Sequence, residues 1–273
     1  MNEVIDPNLV IQPAGAVVPS ILPPTPQEPQ GERRSLNDFK IVVGTPHSYE
    51  TIYKQWFLAY EQLIKPASTR LIMDPNLPLD VNRNNVVEEA LKVGAEYILF
   101  LDHDNTPDPE LLIRLLQANV PVIGALYFER KYPHLPLIYT FEHDFQTVRV
   151  EYNYPKAPVV RCDVIGLGCS LFKIEVFKQL EKPWFCYTYK DHTWGTEDIG
   201  FFHKLKDANI PVCIDTLHTC GHLSSTTIEE SDWEYHKKGY LTLVNQRAKE
   251  LGTTSVFLDK RDGQLIKSPS AKD

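Results

Sequence analysis

The sequence predicts an α/β protein built on a mostly parallel central sheet, with helices on both faces and a small antiparallel insertion. Three observations predict it. Short apolar runs alternate with segments of helical period, the order that βαβ units produce. One run, Tyr97-Ile98-Leu99-Phe100-Leu101, is apolar without a break, as a strand buried on both faces is. Between about 127 and 172 the runs become short and alternating, broken by Pro133, Pro136, Pro155 and Pro158, which is a hairpin pattern.

Residues 1–37 carry Pro7, Pro13, Pro19, Pro23, Pro24, Pro26 and Pro29 with no period long enough to bury a face, so they read as an extended or disordered arm. A single domain follows over 38–252. Its first strand, 39–43, leads through Gly44-Thr45-Pro46 into a helix over 49–63. A strand at 70–73, a loop rich in Pro and Asn at 74–82 and a helix at 84–93 come before the strand Tyr97–Leu101. That strand stops on Asp102-His103-Asp104, and Asn105-Thr106-Pro107 turns the chain. Asp108-Pro109-Glu110 has the form of a helix cap with proline in the first turn. The helix it opens, 109–118, places Leu111, Leu112, Leu115 and Leu116 on one face and belongs to the core. A strand at 121–125 comes next. After the antiparallel region, Gly166-Leu167-Gly168 leads a strand to Phe172, and glycines so placed let backbone pass close to a ligand or another chain. A Gly-x-Gly alone is no dinucleotide fingerprint. A helix opens at Glu197-Asp198 and runs to about 208, a strand covers 212–214, and a helix over 228–251 closes the domain. Residues 253–273 form a polar tail.

A chain of 273 residues with 42% hydrophobic content can bury the core of one large domain. Its net charge of -8 and pI near 5.6 speak against a protein that coats nucleic acid non-specifically, though a local basic groove stays open. Five cysteines without Cys-x-x-Cys spacing disfavour a disulfide framework or structural zinc and favour a reducing compartment. There is no apolar run near 18 residues and no basic-then-apolar amino terminus. Neither a membrane span nor a secretory signal is supported, and a cytoplasmic location is expected.

The chemistry concentrates where strands end. In open α/β sheets ligands bind at the carboxyl ends of strands. Asp102 and Asp104 stand there, and paired hard oxygen donors suit Mg²⁺ or Mn²⁺ carrying phosphate. Both are also ordinary loop residues. Glu197 and Asp198 at a helix start either complement the helix dipole, worth about 0.5 kcal/mol, or place a general base. His218-Thr219-Cys220-Gly221-His222 is either a plain loop or the nitrogen donor that would favour Mn²⁺ in a mixed site. Asn82-Arg83-Asn84-Asn85 can hold phosphate or a nucleotide, or cap a helix.

Two families carry Asp-x-Asp after an apolar strand. The haloacid-dehalogenase phosphatases have Asp-x-Asp-x-Thr, satisfied by Asp102, Asp104 and Thr106, with Asp102 as nucleophile; in that family, however, the motif lies on the first strand. The second resemblance covers nearly all of 38–225. The chain resembles glycosyltransferases of the GT-A fold, particularly the compact family-2-like enzymes of bacteria and phages. The matching segments come in order: Val42-Val43-Gly44-Thr45-Pro46, Arg83-Asn84, Asp102-His103-Asp104, Gly124-Ala125-Leu126-Tyr127-Phe128, Val164-Ile165-Gly166-Leu167-Gly168, Lys182-Pro183-Trp184-Phe185, Glu197-Asp198 and Cys220-Gly221-His222.

The resemblance implies a metal-dependent transferase that moves a sugar from a nucleotide-diphosphate donor, UDP-linked in the first instance, to an acceptor hydroxyl on a glycan, protein, small molecule or modified nucleic-acid base. It implies that Thr45, Pro46, Arg83 and Asp102 contact the nucleotide. Asp102, Asp104 and His222 would serve the metal, Mn²⁺ or Mg²⁺, with Asp104 a direct ligand. Gly124, Gly166 and Gly168 would border the donor sugar and Trp184 the acceptor. Asp198, beside Glu197, would be the catalytic base. The alternatives are the phosphohydrolase just described and a non-catalytic module that keeps the pocket only as scaffold.

Overall fold

The computed structural model describes residues 10–11, 34–47, 51–73, 77–141, 148–190, 193–224, 227–253, 256–258 and 265–267. Most of the expected arm and tail, the first residues of the expected helix at 49, and 74–76 of the expected loop lie outside them. In chain order the principal elements are β1 (Ile41–Gly44), α1 (Lys54–Gln62), β2 (Arg70–Ile72), α2 (Leu79–Lys92), β3 (Tyr97–Leu101), β4 (Asn105–Thr106), α3 (Leu111–Ala118) and β5 (Val122–Ala125). They continue with β6 (Ile138–Phe141), β7 (Val148–Val150), β8 (Val160–Cys162), β9 (Val164–Ile165), β10 (Cys169–Lys173), α4 (Ile174–Lys178), α5 (Glu197–Asp207), β11 (Val212–Asp215), β12 (Gly221–Leu223), β13 (Thr227–Ile228) and α6 (Glu230–Glu250).

Seven strands form the central sheet in the order β8-β11-β5-β10-β3-β1-β2. Strands β11, β5, β3, β1 and β2 run one way, and β8 and β10 run against them. The fold class is the expected one, with a correction in the middle of the sheet. The antiparallel region does not stay outside it: β6, β7 and β9 make a separate three-stranded sheet, but β10 inserts between β3 and β5. Burial explains this, since Cys169, Ser170, Leu171 and Phe172 are all fully enclosed and such a strand belongs inside a sheet.

Alternation along β3 divides the core. Ile98 and Phe100 face a cluster with Val86, Val87 and Ala90 of α2 and Phe201, Phe202 and Leu205 of α5. Leu99 and Leu101 face the opposite cluster, with Trp56 of α1 and the leucines of α3. Two helices differ from expectation. The first starts at Lys54, after extended Tyr53. The second starts at Leu79 behind Pro78, so 79–82 are helical and Arg83 sits in its second turn, not ahead of it. Asp108 does serve the start of α3: its Oδ1 accepts the Glu110 N–H at 2.9 Å and its carboxylate grips Arg114. Among the described residues no helix is long and apolar enough to cross a membrane.

Because β1 leads outward to β2 while β3 returns to the other side of β1, the sheet opens a crevice between the carboxyl ends of β1 and β3. Thr45 and Asp102 stand at its two sides. A second junction completes the position: β12 pairs with β4, setting His222 opposite Asn105, and Leu223 N–H donates to the Asp104 carbonyl at 2.7 Å. Two segments over a hundred residues apart therefore meet at the end of β3.

Candidate functional site

Arg83 is the hub of the crevice. Its guanidinium is 2% exposed; Nη2 donates to Asp102 Oδ2 at 2.9 Å and Nε to Glu197 Oε1 at 3.3 Å, while the Phe100 ring lies 5.2 Å from its Cζ. Burial opposes its charge, but the two carboxylates outweigh that and hold it firmly protonated. Neither acid is an ordinary carboxylate. Burial pushes Asp102 up, Arg83 pulls against it, and the charge of Asp104 adds to the rise. Glu197 is likewise raised by burial against the pull of Arg83, with Asp198 adding its repulsion. Among the described residues, Arg83 Nη1 and Asp102 Oδ1 are both buried without a hydrogen-bond partner. Buried polar atoms of that kind are costly unless something arrives to bond them.

Asp104 has a different setting. Its carboxylate is 7% exposed, with Oδ2 at 3.0 Å from Arg130 Nη1 and 3.6 Å from His222 Nε2. Burial opposes ionisation, yet His222, His103 and Arg130 together hold the carboxyl below its usual range. His222 Nδ1 lies 2.7 Å from the Phe128 carbonyl, which can only accept, so Nδ1 carries a proton. Nε2, the ring nitrogen left over, faces Asp104, and this is the end that a metal-ligating histidine presents when Nδ1 is held by a carbonyl. The other histidine of the run is engaged elsewhere. His218 Nδ1 is 2.9 Å from Asp215 Oδ2, and Asp215 Oδ1 accepts the Leu217 and His218 N–H groups.

The glycines divide. A Cβ on Gly168 would come within 2.2 Å of Asn105 Oδ1, 2.8 Å of the Tyr127 hydroxyl and 3.1 Å of Asp102 Oδ2; one on Gly166 would strike the Tyr127 ring. Gly168 N–H donates to Tyr127 Oη at 2.9 Å and its carbonyl accepts the Asp102 N–H at 2.8 Å. This backbone must therefore press against the Asp102 loop. Gly168→Ala is expected to cost about 1–3 kcal/mol of stability by overpacking and to displace Asp102, read as a lower denaturation midpoint together with weaker nucleotide binding. Gly124 is different. It lies inside the sheet, and its missing Cβ makes room for Ile165 and the Cys169 carbonyl. Its assignment to the donor sugar is corrected to packing.

Trp184 needs the same correction. It is 2% exposed, its indole N–H donates to the Phe177 carbonyl at 2.8 Å, and it packs edge-on to Phe177. A side chain so enclosed has no face to offer an acceptor. Thr45 and Pro46 are both buried at this end of the sheet. Thr45 Oγ1 is without a hydrogen-bond partner among the described residues. Also at this end are His47, Tyr53 and His103: Tyr53 stacks on His103 with ring centres 5.8 Å apart, and His47 is 6.1 Å from the same ring. Sequence reasoning passed over His47 and Tyr53 and gave Tyr127 and Arg130 no role beside Asp104. His103 inside the Asp-x-Asp, and Arg130 in a basic and aromatic stretch, were the available signals.

Among the described residues no three His, Cys, Asp or Glu side chains stand together as a ready metal cluster. Asp102, expected in such a triad, has its Oδ2 taken by Arg83, which leaves the pair Asp104 and His222. The donor chemistry of that pair still suits a cation that travels with phosphate, because such ions keep waters and take one or two protein ligands plus phosphate oxygens. A separate cleft of about 570 Å³ runs between β2 and α2, lined by Arg70, Ile72 and Lys92 among others, and shares no wall with these residues.

The sequence matches no family model and no curated protein. Among solved structures it is similar to protein A197 from STIV, at 15% identity over 68% of this chain and 86% of that one, with a TM-score of 0.49. It is also similar to GalNAc-T7 with UDP, GalNAc and Mn²⁺, at 12% identity over 67% of this chain and 40% of that one, with a TM-score of 0.41. Likeness of this order identifies no activity.

Proposed function

We propose that this chain is a metal-dependent glycosyltransferase of the GT-A type, moving a sugar from a nucleoside-diphosphate donor to an acceptor hydroxyl. The observation that carries the reading is the meeting of Asp104 and His222 at the carboxyl end of β3, with the Nδ1 proton of His222 committed to the Phe128 carbonyl. Asp104 and His222 would hold the cation, and the imidazole nitrogen favours Mn²⁺ over Mg²⁺. A bound dication there supplies neutralisation of the charge that develops on a departing diphosphate. Arg83 fixes Asp102 from one side and leaves Oδ1 open to a donor hydroxyl or a water. Asp198 is half-buried at the head of α5, where Oδ1 accepts the Ile199 N–H at 2.8 Å, and its carboxylate would take the acceptor's proton.

The phosphohydrolase reading fits less well. It needs the nucleophile after the first strand, whereas Asp102 follows the third strand of the central sheet in chain order. Calorimetric titration of UDP with and without Mn²⁺, repeated on Asp104→Ala, tests the proposal. Metal-dependent binding weakened at least about tenfold, or 1.4 kcal/mol, by the substitution is the expected result. Binding indifferent to both metal and mutation would overturn the metal site, and no binding of UDP, GDP or CDP with Mn²⁺ present would favour a scaffold.

A further inference from the structure

Arg130 lies in the hairpin that the Phe128 and Pro136 bridge closes, and that hairpin is braced by Glu129 N–H on the Leu135 carbonyl at 2.9 Å and by His134 Nδ1 at 2.9 Å from the Glu129 carbonyl. Its guanidinium reaches Asp104 Oδ2, the same oxygen that faces His222 Nε2. A guanidinium at 3.0 Å from that oxygen competes with a dication shared with His222, because it takes up lone-pair capacity on the side that faces the imidazole and the two positive charges repel. The Arg130 side chain is 49% exposed, so it has solvent to move into, unlike Arg83 at 3%.

We propose that Arg130 is an exchangeable counter-ion of Asp104: it occupies the carboxylate while no cation is bound, is displaced when the cation arrives, and then grips the diphosphate that the cation carries. The inference rests on the glycosyltransferase reading of this site. A planar fork of donors is suited to both partners, carboxylate and phosphate, so the exchange gives up one anion for another. Its consequence is coupling. The cation alone has to compete with Arg130, whereas the cation with nucleotide gives the arginine somewhere to go, so each ligand tightens the other by the same factor.

The test measures Mn²⁺ binding without nucleotide, from the loss of the free Mn²⁺ electron-spin signal, on the whole chain and on Arg130→Gln, Arg130→Lys and Asp104→Ala. UDP binding at saturating Mn²⁺ follows by calorimetry. Arg130→Gln is expected to bind Mn²⁺ alone about 5- to 10-fold more tightly and UDP about 5- to 10-fold more weakly, within the usual range of coupling between sites. Arg130→Lys keeps the competing charge but loses the fork, so it should leave Mn²⁺ affinity near that of the parent and still weaken UDP. If Mn²⁺ binds through Asp104 but Arg130→Gln leaves its affinity unchanged or lower, the exchange is wrong and the metal site stands. If neither the parent nor Arg130→Gln binds Mn²⁺, with or without UDP, both this inference and the glycosyltransferase reading fall.

Discussion

Replacing Arg83 by methionine is expected to cost about 3–5 kcal/mol of folding stability, the range for removing one partner of a buried ion pair. A typical domain has only about 5–15 kcal/mol in total, so the variant should be near the edge of folding. Methionine fills much of the volume and keeps contact with Phe100, so the loss comes from charge. Asp102 and Glu197 both lose the guanidinium that opposes their burial. The pH dependence has a definite sign. Both carboxyls already have folded values above their ordinary ones, so between the unfolded value near 4 and the folded one the native state holds protons that the unfolded chain has released. Stability falls as pH rises through that window. Without Arg83 both values rise further and the window extends upward. Denaturant midpoints of parent and Arg83→Met at pH 5 and pH 8 should therefore show the larger difference at pH 8. An equal difference at both, or one below about 1 kcal/mol, would mean that the two carboxylates do not depend on Arg83.

How much of this was legible depends on the range of the forces involved. Strand Tyr97–Leu101 is plain in the sequence because burial on both faces demands an unbroken apolar run, and the two aspartates after it mark the strand's open end. The leucines of α3 declare their face by spacing alone. What the sequence does not display is which charge meets which. Arg83 and Glu197 are 114 residues apart, and their contact exists only because α2 and α5 pack on the same face of the sheet. Arg130 reaches Asp104 from only 26 residues away, but through a hairpin whose direction no local pattern announces. Trp184 illustrates the opposite failure: an aromatic beside proline and lysine looks like the rim of a site, but Lys182 merely lies over its ring while the indole is sealed against Phe177. The expected loop that became the first turn of α2 shows a smaller one, since Pro78 followed by Leu79-Asp80-Val81 starts a helix as readily as it extends a loop.

The adjacent acids Glu197 and Asp198 have opposite fates, and this sets up the second large effect. Glu197 is 4% exposed and committed to Arg83, so its work is to hold the hub in place. Asp198 is half-buried with one oxygen on the Ile199 amide, and it is not committed to Arg83, so it is the acid proposed for the chemistry. Asp198→Asn keeps the shape and can still hold that amide but cannot accept a proton. A general base is worth about 10²- to 10⁴-fold in rate, whereas a charge that merely complements the start of α5 is worth about 0.3–1 kcal/mol, under tenfold. The two roles are therefore separable by magnitude. UDP release from a panel of UDP-sugars, with water as acceptor, should fall at least about a hundredfold in Asp198→Asn while the affinity for UDP with Mn²⁺ stays within about twofold, the pattern of a group that acts only in the transition state. Glu197→Gln should do the reverse, lowering the denaturation midpoint and UDP affinity together, because it leaves Arg83 with one full counter-charge in place of two. Retention of more than about a tenth of the rate in Asp198→Asn would return Asp198 to the helix-dipole role and leave the acceptor's proton to another group.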